Sequence, residues 1–158
     1  MRFLQSVALA TLLVASSLAW AWKVDRSVDR MTGSVTVAST LRSVNSLKLA
    51  FPYHGKNHGY ITIGGTDGAQ SVVIVGIDKG QMLCFQDCSI QANFDDSEIV
   101  TFYARSPSDH SSDYVILERP EYFLDWINGA KKIMIRIDVY QGGAPVLEFR
   151  QTKALKKP

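Results

Sequence analysis

The sequence predicts a mainly β fold, an antiparallel β-sandwich or barrel-like sheet with one helix in its C-terminal half. Apolar and polar side chains alternate through several short segments, which is the pattern of strands with one buried face. Stretches rich in Gly, Pro and Asp separate these segments, as expected of antiparallel connections. Only one stretch of the sequence has a helical spacing of apolar residues.

Seven segments carry the strand pattern, and two turns between them predict tight hairpins. The clearest strand is 133–140, where Ile and Val alternate with Met, Arg, Asp and Tyr. The turns 78–80 (Asp-Lys-Gly) and 141–144 (Gln-Gly-Gly-Ala) each lie between two apolar segments, which is typical of hairpins. The other predicted strands are 34–39, 46–51, 61–63, 72–75, 90–95 and 147–150.

The predicted helix covers residues 120–128. Pro120 suits its first turn, where the missing N–H leaves no hydrogen bond unmade, and Gly129 is placed to end it. Apolar residues at i, i+3 and i+4 form one stripe, which we expect to pack against the sheet at an open edge or end. The stripe consists of Phe123, Trp126 and Ile127.

Residues 1–21 have the features of a cleaved export signal. Arg2 provides a basic start, 7–15 is a short apolar stretch, and the Ala-Trp-Ala sequence ending at Ala21 has the small residues of a leader-peptidase site. We therefore expect a single β-rich domain over 22–158, located in the periplasm or secreted. The apolar stretch is shorter than the roughly 20 residues of a membrane span, so we expect no integral span in the mature chain.

Cys84 and Cys88 are the two cysteines of the chain, and we predict a structural disulfide between them. An exported protein folds in an oxidising compartment, where a close pair is expected to be bonded. Three intervening residues allow a turn that brings the Cα atoms within the roughly 4.4–6.8 Å of a disulfide. Redox catalysis favours two intervening residues, and zinc needs further ligands, so we predict no metal and no cofactor.

Four loop residues are the candidate binding residues: Tyr53, Phe85, Gln86 and Asp87. Tyr53 lies in a segment rich in Pro and Gly, and the other three form the tip of the predicted disulfide-closed loop. Loops on a rigid scaffold carry recognition in many proteins, and aromatic side chains dominate binding hot spots. These residues therefore indicate a surface that binds another protein.

The sequence disfavours catalysis and nucleic-acid binding. No catalytic residue is predicted, because the chain shows no nucleophile with an identifiable base and no known catalytic motif. With 17 Lys and Arg against 15 Asp and Glu, it also lacks the basic character of a nucleic-acid-binding protein. An alternative is a metal-dependent hydrolase that uses His54, His58 and Asp95 or Asp96, although the residues around both histidines favour a loop.

Several short features occur together in a recognisable order. They are Trp22 after the leader, the Cys84 and Cys88 pair, the segment 89–95, the helix 123–127, and the closing Gly142-Gly143 and Glu148-Phe149. In these features the chain resembles small exported proteobacterial envelope proteins, including the VasI-like accessory proteins associated with type VI secretion. The resemblance implies an accessory protein of the cell envelope, and it transfers no catalytic residue.

The sequence leads to three functional hypotheses. The first is a non-enzymatic periplasmic binding or accessory protein that contacts another envelope or secretion component. The second is an immunity protein or inhibitor that inserts the stiff 84–88 loop into an envelope-acting hydrolase. The third is the metal-dependent periplasmic hydrolase. The expected partner is another envelope or secreted protein, and no nucleic acid.

Overall fold

The computed structural model describes residues 21–66 and 71–152, and this part of the chain confirms the mainly β prediction. Residues 1–20 of the predicted leader lie outside the described residues. Within residues 21–66 and 71–152, no helix is long and apolar enough to cross a membrane. The elements are β1 (Lys23–Val28), β2 (Val35–Ser46), β3 (His58–Thr66), β4 (Val72–Ile77), β5 (Asp87–Phe94), β6 (Val100–Arg105), β7 (Tyr114–Leu117), α1 (Pro120–Ile127), β8 (Lys132–Arg136) and β9 (Val146–Arg150).

The nine strands form one antiparallel sheet in the order β1-β2-β3-β4-β7-β6-β5-β8-β9. The sheet curls until β9 approaches β2, but no backbone ladder joins these two strands in the described residues. Instead, Asn45 Nδ2 donates to the Val146 carbonyl at 2.8 Å, and Asn45 Oδ1 accepts from the Glu148 amide at 2.9 Å. The sheet is therefore not closed into a barrel, and a side-chain amide spans the seam.

The core lies inside this curl, on the inward face of the strands. Successive strand side chains point to opposite faces, so the alternating Ile, Val and Leu residues meet on one side. Residues that are at most 1% exposed come from strands across the whole sheet, among them Ile61, Ile63, Val73, Val75, Ile133, Ile135, Leu147 and Phe149.

Helix α1 covers one end of this core and confirms the predicted helical segment. Phe123 and Ile127 are fully buried. The Phe123 ring makes edge-to-face contacts with Phe94 and Phe102, at centroid distances of 5.7 and 5.1 Å. Trp126 stacks on Phe94 at 5.7 Å but is only partly buried. The predicted stripe thus buries two of its residues completely and the third at the rim of the core.

One of the two predicted hairpins is wrong. After the turn 78–80 the chain does not return alongside β4, because β4 pairs with β3 and β7. The following segment instead forms a bridge between Met82 and Val139. The other prediction is confirmed, since the turn 141–144 lies between the antiparallel neighbours β8 and β9.

The strand connections lie at two ends of the sheet. Because neighbouring strands are antiparallel, successive connections alternate between the ends. Helix α1 and the turns 29–34 and 95–99 share one end. The opposite end, called the loop end below, consists of the segments 47–57, 78–86, 106–113 and 137–145. The strand predicted over 46–51 is therefore wrong, because β2 ends at Ser46 and the apolar residues that follow belong to a connection.

Candidate functional site

The segments of the loop end pack against one another. The buried Asn57 side chain joins two of them, since its Nδ2 donates to the Lys79 carbonyl at 2.7 Å and its Oδ1 accepts from the Lys79 amide at 3.1 Å. Leu49 lies over Gly80 and Gly142, where an added Cβ would approach the Leu49 methyl groups to 3.0 and 2.8 Å. These contacts make the loop end a packed layer rather than a set of independent loops.

The predicted disulfide is present at this end. Cys84 and Cys88 are bonded, with their Cα atoms 5.1 Å apart. Ser106 holds the loop from the neighbouring segment, because its Oγ donates to the Cys84 carbonyl at 2.6 Å and its amide donates to the Gln86 carbonyl at 3.2 Å. At the tip, the Phe85 side chain is 88% exposed. The loop therefore presents an unburied aromatic ring on a constrained backbone.

A groove of about 720 Å³ lies beside the disulfide loop. This volume falls within the roughly 300–1,000 Å³ typical of small-molecule and cofactor sites. Its surface combines aromatic and prolyl rings with hydroxyl groups and one imidazole. The lining residues are Phe85 and Gln86 from the loop, Met82 and Cys84 beside it, and Ser106, Pro107, His110, Ser111, Ser112 and Tyr114 from the facing segment.

The facing wall of the groove is organised by Asp109. Its carboxylate accepts from the Ser111 amide at 2.9 Å and from the Tyr114 hydroxyl at 3.0 Å. These hydrogen bonds, the Ser111 amide foremost, lower the pKa of Asp109 below its usual value. The pKa of Tyr114 is raised by burial and by its bond to Asp109. The carboxylate thus keeps its charge and holds the wall in place.

Two non-glycine residues of the groove adopt left-handed backbone conformations. Gln86 has φ +65° in the disulfide loop, and His110 has φ +62° in the facing wall. Such conformations carry a backbone cost for residues with a Cβ, and Asp95, Asp96 and Gln141 adopt them outside the groove. Here the disulfide and the Asp109 hydrogen bonds impose them on opposite sides of the groove.

The four candidate binding residues lie in or next to the segments of the loop end, but only two of them line the groove. Phe85 and Gln86 line the groove. Asp87 is the exposed first residue of β5 and follows them directly. Tyr53 is partly buried on the neighbouring 47–57 segment and does not line the groove. His110 was not among the predicted binding residues, because its place in the wall depends on strands that are distant in sequence.

The residues of the hydrolase hypothesis lie at opposite ends of the sheet. His54 stacks on the exposed ring of Phe51 with centroids 6.0 Å apart, and His58 Nδ1 lies 3.1 Å from the Ser43 carbonyl. Asp95 is at the helix end, where its carboxylate accepts from the backbone amides of Lys131 and Lys132. Asp96, also at that end, pairs with Lys132 Nζ at 2.8 Å.

No metal-binding cluster of three or more His, Cys, Asp or Glu residues occurs in residues 21–66 and 71–152. Comparison of the chain with protein-family models, with curated proteins and with solved structures finds no match.

Proposed function

We propose that this protein is a non-enzymatic periplasmic binding or accessory protein, which contacts another envelope or secretion component through the groove beside the disulfide loop. The observation that carries the proposal is the exposure of Phe85, which lines the groove and is 88% exposed. Burying a side chain of this size on a partner contributes about 1.5–3 kcal/mol. Aromatic anchors of this kind supply much of the binding energy at protein interfaces.

The constrained backbone around Phe85 supports this proposal. The disulfide closes the loop, and Ser106 donates hydrogen bonds to the carbonyls of Cys84 and Gln86, the residues before and after Phe85. Less conformational entropy is then lost when the loop binds a partner. The aromatic and hydroxyl lining of the groove fits an apolar segment of a protein that also offers backbone hydrogen-bonding groups.

The protruding loop also favours a second candidate function, inhibition of an envelope-acting hydrolase. A constrained loop with an exposed aromatic tip can enter an enzyme cleft with little rearrangement. Both functions place the same residues at the interface, and they differ in the partner. A partner hydrolase that loses activity at a one-to-one ratio would identify an inhibitor or immunity protein.

The binding proposal is tested by photo-crosslinking in intact cells. A benzophenone amino acid placed at Gln86 should form a discrete adduct with one envelope protein, identified by mass spectrometry. Adding Phe85→Ala should weaken capture about fivefold or more, because the anchor ring is lost. Tyr103→Ala is the matched control, since Tyr103 is an exposed aromatic residue of β6 that does not line the groove.

Equal loss of the adduct in both variants would contradict the binding proposal. The double substitution of His54 and His58 by Ala should leave capture nearly unchanged. Stoichiometric zinc in the purified protein, lost together with a hydrolase activity in that double variant, would replace the binding proposal with the metal-dependent hydrolase.

The periplasmic location, and with it the VasI-like accessory role, belongs to the same proposal. A disulfide is expected to persist in an oxidising compartment. Trp22, the first residue after the expected cleavage point, packs against the core and donates from Nε1 to Gln151 Oε1 at 2.7 Å. Intact-mass measurement of protein recovered from the periplasm should therefore give a chain that begins at Trp22 and has no alkylatable thiol. Two alkylatable cysteines, or an unprocessed chain, would refute the assignment.

A further inference from the structure

A second depression lies on the outer face of the sheet and shares no residue with the groove. It has a volume of about 210 Å³ and is called the outer pit. Gln91 pairs with Arg136, and Asn93 pairs with Met134, so these four side chains lie on the same outward face of β5 and β8. Ala92 of β5, Val146 of β9 and Ile99, just before β6, also line the outer pit.

The floor and side of the outer pit are apolar. Met134 and Val146 are only partly buried, and Ile99 is 60% exposed. The outer face of a one-sided sheet is ordinarily covered by polar side chains. The volume is smaller than the roughly 300–1,000 Å³ of sites for larger ligands. An apolar depression of this size is suited to a single large side chain.

Asn93, which lines the outer pit, carries an unpartnered hydrogen-bond acceptor. Its Nδ2 donates to the Ser97 carbonyl, and this bond sets the orientation of the amide. Its Oδ1 is buried and has no hydrogen-bond partner among the described residues. A buried acceptor without a donor costs free energy that a suitable N–H would recover. Because Oδ1 is shielded from water, a donor reaches it only when neighbouring side chains move.

Arg136 contributes unused donors at the rim. Its Nη1 donates to Gln91 Oε1 at 2.9 Å, which orients the guanidinium beside the pit. No carboxylate of the described residues forms an ion pair with this guanidinium. Glu148 lies opposite Met134 on the same face and is the acidic neighbour closest in register. An arginine with free donors is well suited to a carboxylate.

We propose that the outer pit binds the C-terminal residue of a peptide or protein whose last side chain is apolar. The side chain enters the pit, the terminal carboxylate pairs with Arg136, and the amide N–H of that residue donates to Asn93 Oδ1. Diagonal neighbours on adjacent antiparallel strands have Cα atoms roughly 7–8 Å apart. Asn93 and Arg136 therefore flank one residue of a bound chain.

The probe is the peptide acetyl-Gly-Gly-Gly-Ala-Leu with a free carboxylate, compared with the same peptide as a C-terminal amide. Nuclear magnetic resonance titration of the full mature chain should shift the methyl signals of Met134 and Ile99 with the acid. The amide, and the acid with the Arg136→Gln variant, should bind about tenfold more weakly, because a charge-assisted pair is lost. Glu148→Gln should tighten binding of the acid by removing a like charge.

Arg150→Gln is the matched control, because Arg150 is an exposed arginine that pairs with Lys132 and does not line the outer pit. It should leave the affinity for the acid unchanged. Equal shifts with acid and amide, or no shift of either methyl signal at millimolar peptide, would overturn the proposal. Phe85→Ala should not alter binding of the peptide to the outer pit. Failure of this proposal can therefore be distinguished from failure of the proposed function at the groove.

Discussion

Arg42, His58 and Asp78 show how single side chains tie the loop end to the sheet. Arg42 Nη2 donates to Asp78 Oδ1 at 2.6 Å, and the His58 amide donates to Asp78 Oδ2 at 3.0 Å. Burial by itself raises the pKa of Asp78, but the hydrogen bonds from Arg42 and His58 outweigh it and bring the pKa below its ordinary value. One carboxylate thus joins β2, the start of β3 and the turn after β4.

The lowered pKa makes a prediction about stability and pH. A carboxyl group with a depressed pKa in the folded state stabilises that state above its unfolded pKa, and the contribution is lost as the pH falls through the folded pKa. Asp78→Asn should reduce the free energy of unfolding by about 1 kcal/mol at pH 7, and by less in acid. Urea unfolding at pH 7 and at pH 3 measures both effects.

Asp125→Asn is the control for this measurement, because Asp125 is an exposed carboxylate on α1. It should change stability little at either pH. A loss in Asp78→Asn that stayed the same at pH 3 would show that the substitution acts through packing rather than through charge.

Some strands can be recognised from the alternation of residues in the sequence, and others cannot. The segment 133–140 alternates regularly, and its first part is strand β8. β1 was not predicted, because all its residues are exposed and its Val24 and Val28 form no continuous alternation. β6 and β7 were also missed, and β7 has only four residues. Periodicity reports burial on one face, so an exposed or very short strand leaves little signal.

Helix α1 makes a prediction at the same scale. Phe123→Ala should lower the free energy of unfolding by about 3–5 kcal/mol, because the ring is fully buried among Phe94 and Phe102. Trp126→Ala should cost about 2 kcal/mol, since Trp126 is partly exposed and its main contact is the stack on Phe94. Chemical denaturation measures the free energy of unfolding of both variants. Equal losses would contradict the placement of Trp126 at the rim.

The seam between β2 and β9 is where the curled sheet approaches itself without a backbone ladder in the described residues. Asn45 supplies both a donor and an acceptor across it, to the Val146 carbonyl and the Glu148 amide. A side-chain amide can satisfy backbone groups of both kinds, which neither a carboxylate nor an alkyl group does. The curl that brings β9 to β2 also brings Leu49 of the 47–57 segment over Gly142 of the 137–145 segment.

Removing this amide should open the seam. Asn45→Ala leaves a backbone donor and a backbone acceptor unpaired, and it should cost about 1–3 kcal/mol. Hydrogen exchange of the Glu148 amide should quicken by more than the global loss of stability explains. Asn128→Ala is the control, since Asn128 is exposed at the C-terminus of α1. Unchanged exchange at Glu148 in the Asn45 variant would contradict the role of the amide.

The candidate groove was only partly predictable. The close cysteines indicated a constrained loop, and its tip residues Phe85 and Gln86 do line the groove. The opposite wall, with His110 and Tyr114, requires β7 to lie between β4 and β6. A sequence pattern contains no information on that neighbour relation, and the prediction that β4 would be followed by its own hairpin partner was wrong for the same reason.

By itself, the sequence determined the mainly β class, the segment of the helix, the last hairpin and the disulfide pair. These features follow from interactions over a few residues, namely side-chain alternation, turn chemistry and the reach of two thiols. Only the tertiary structure decided the strand order, the seam at Asn45, the groove and the outer pit. Those depend on contacts between residues distant in the chain, which form when the whole sheet buries one face.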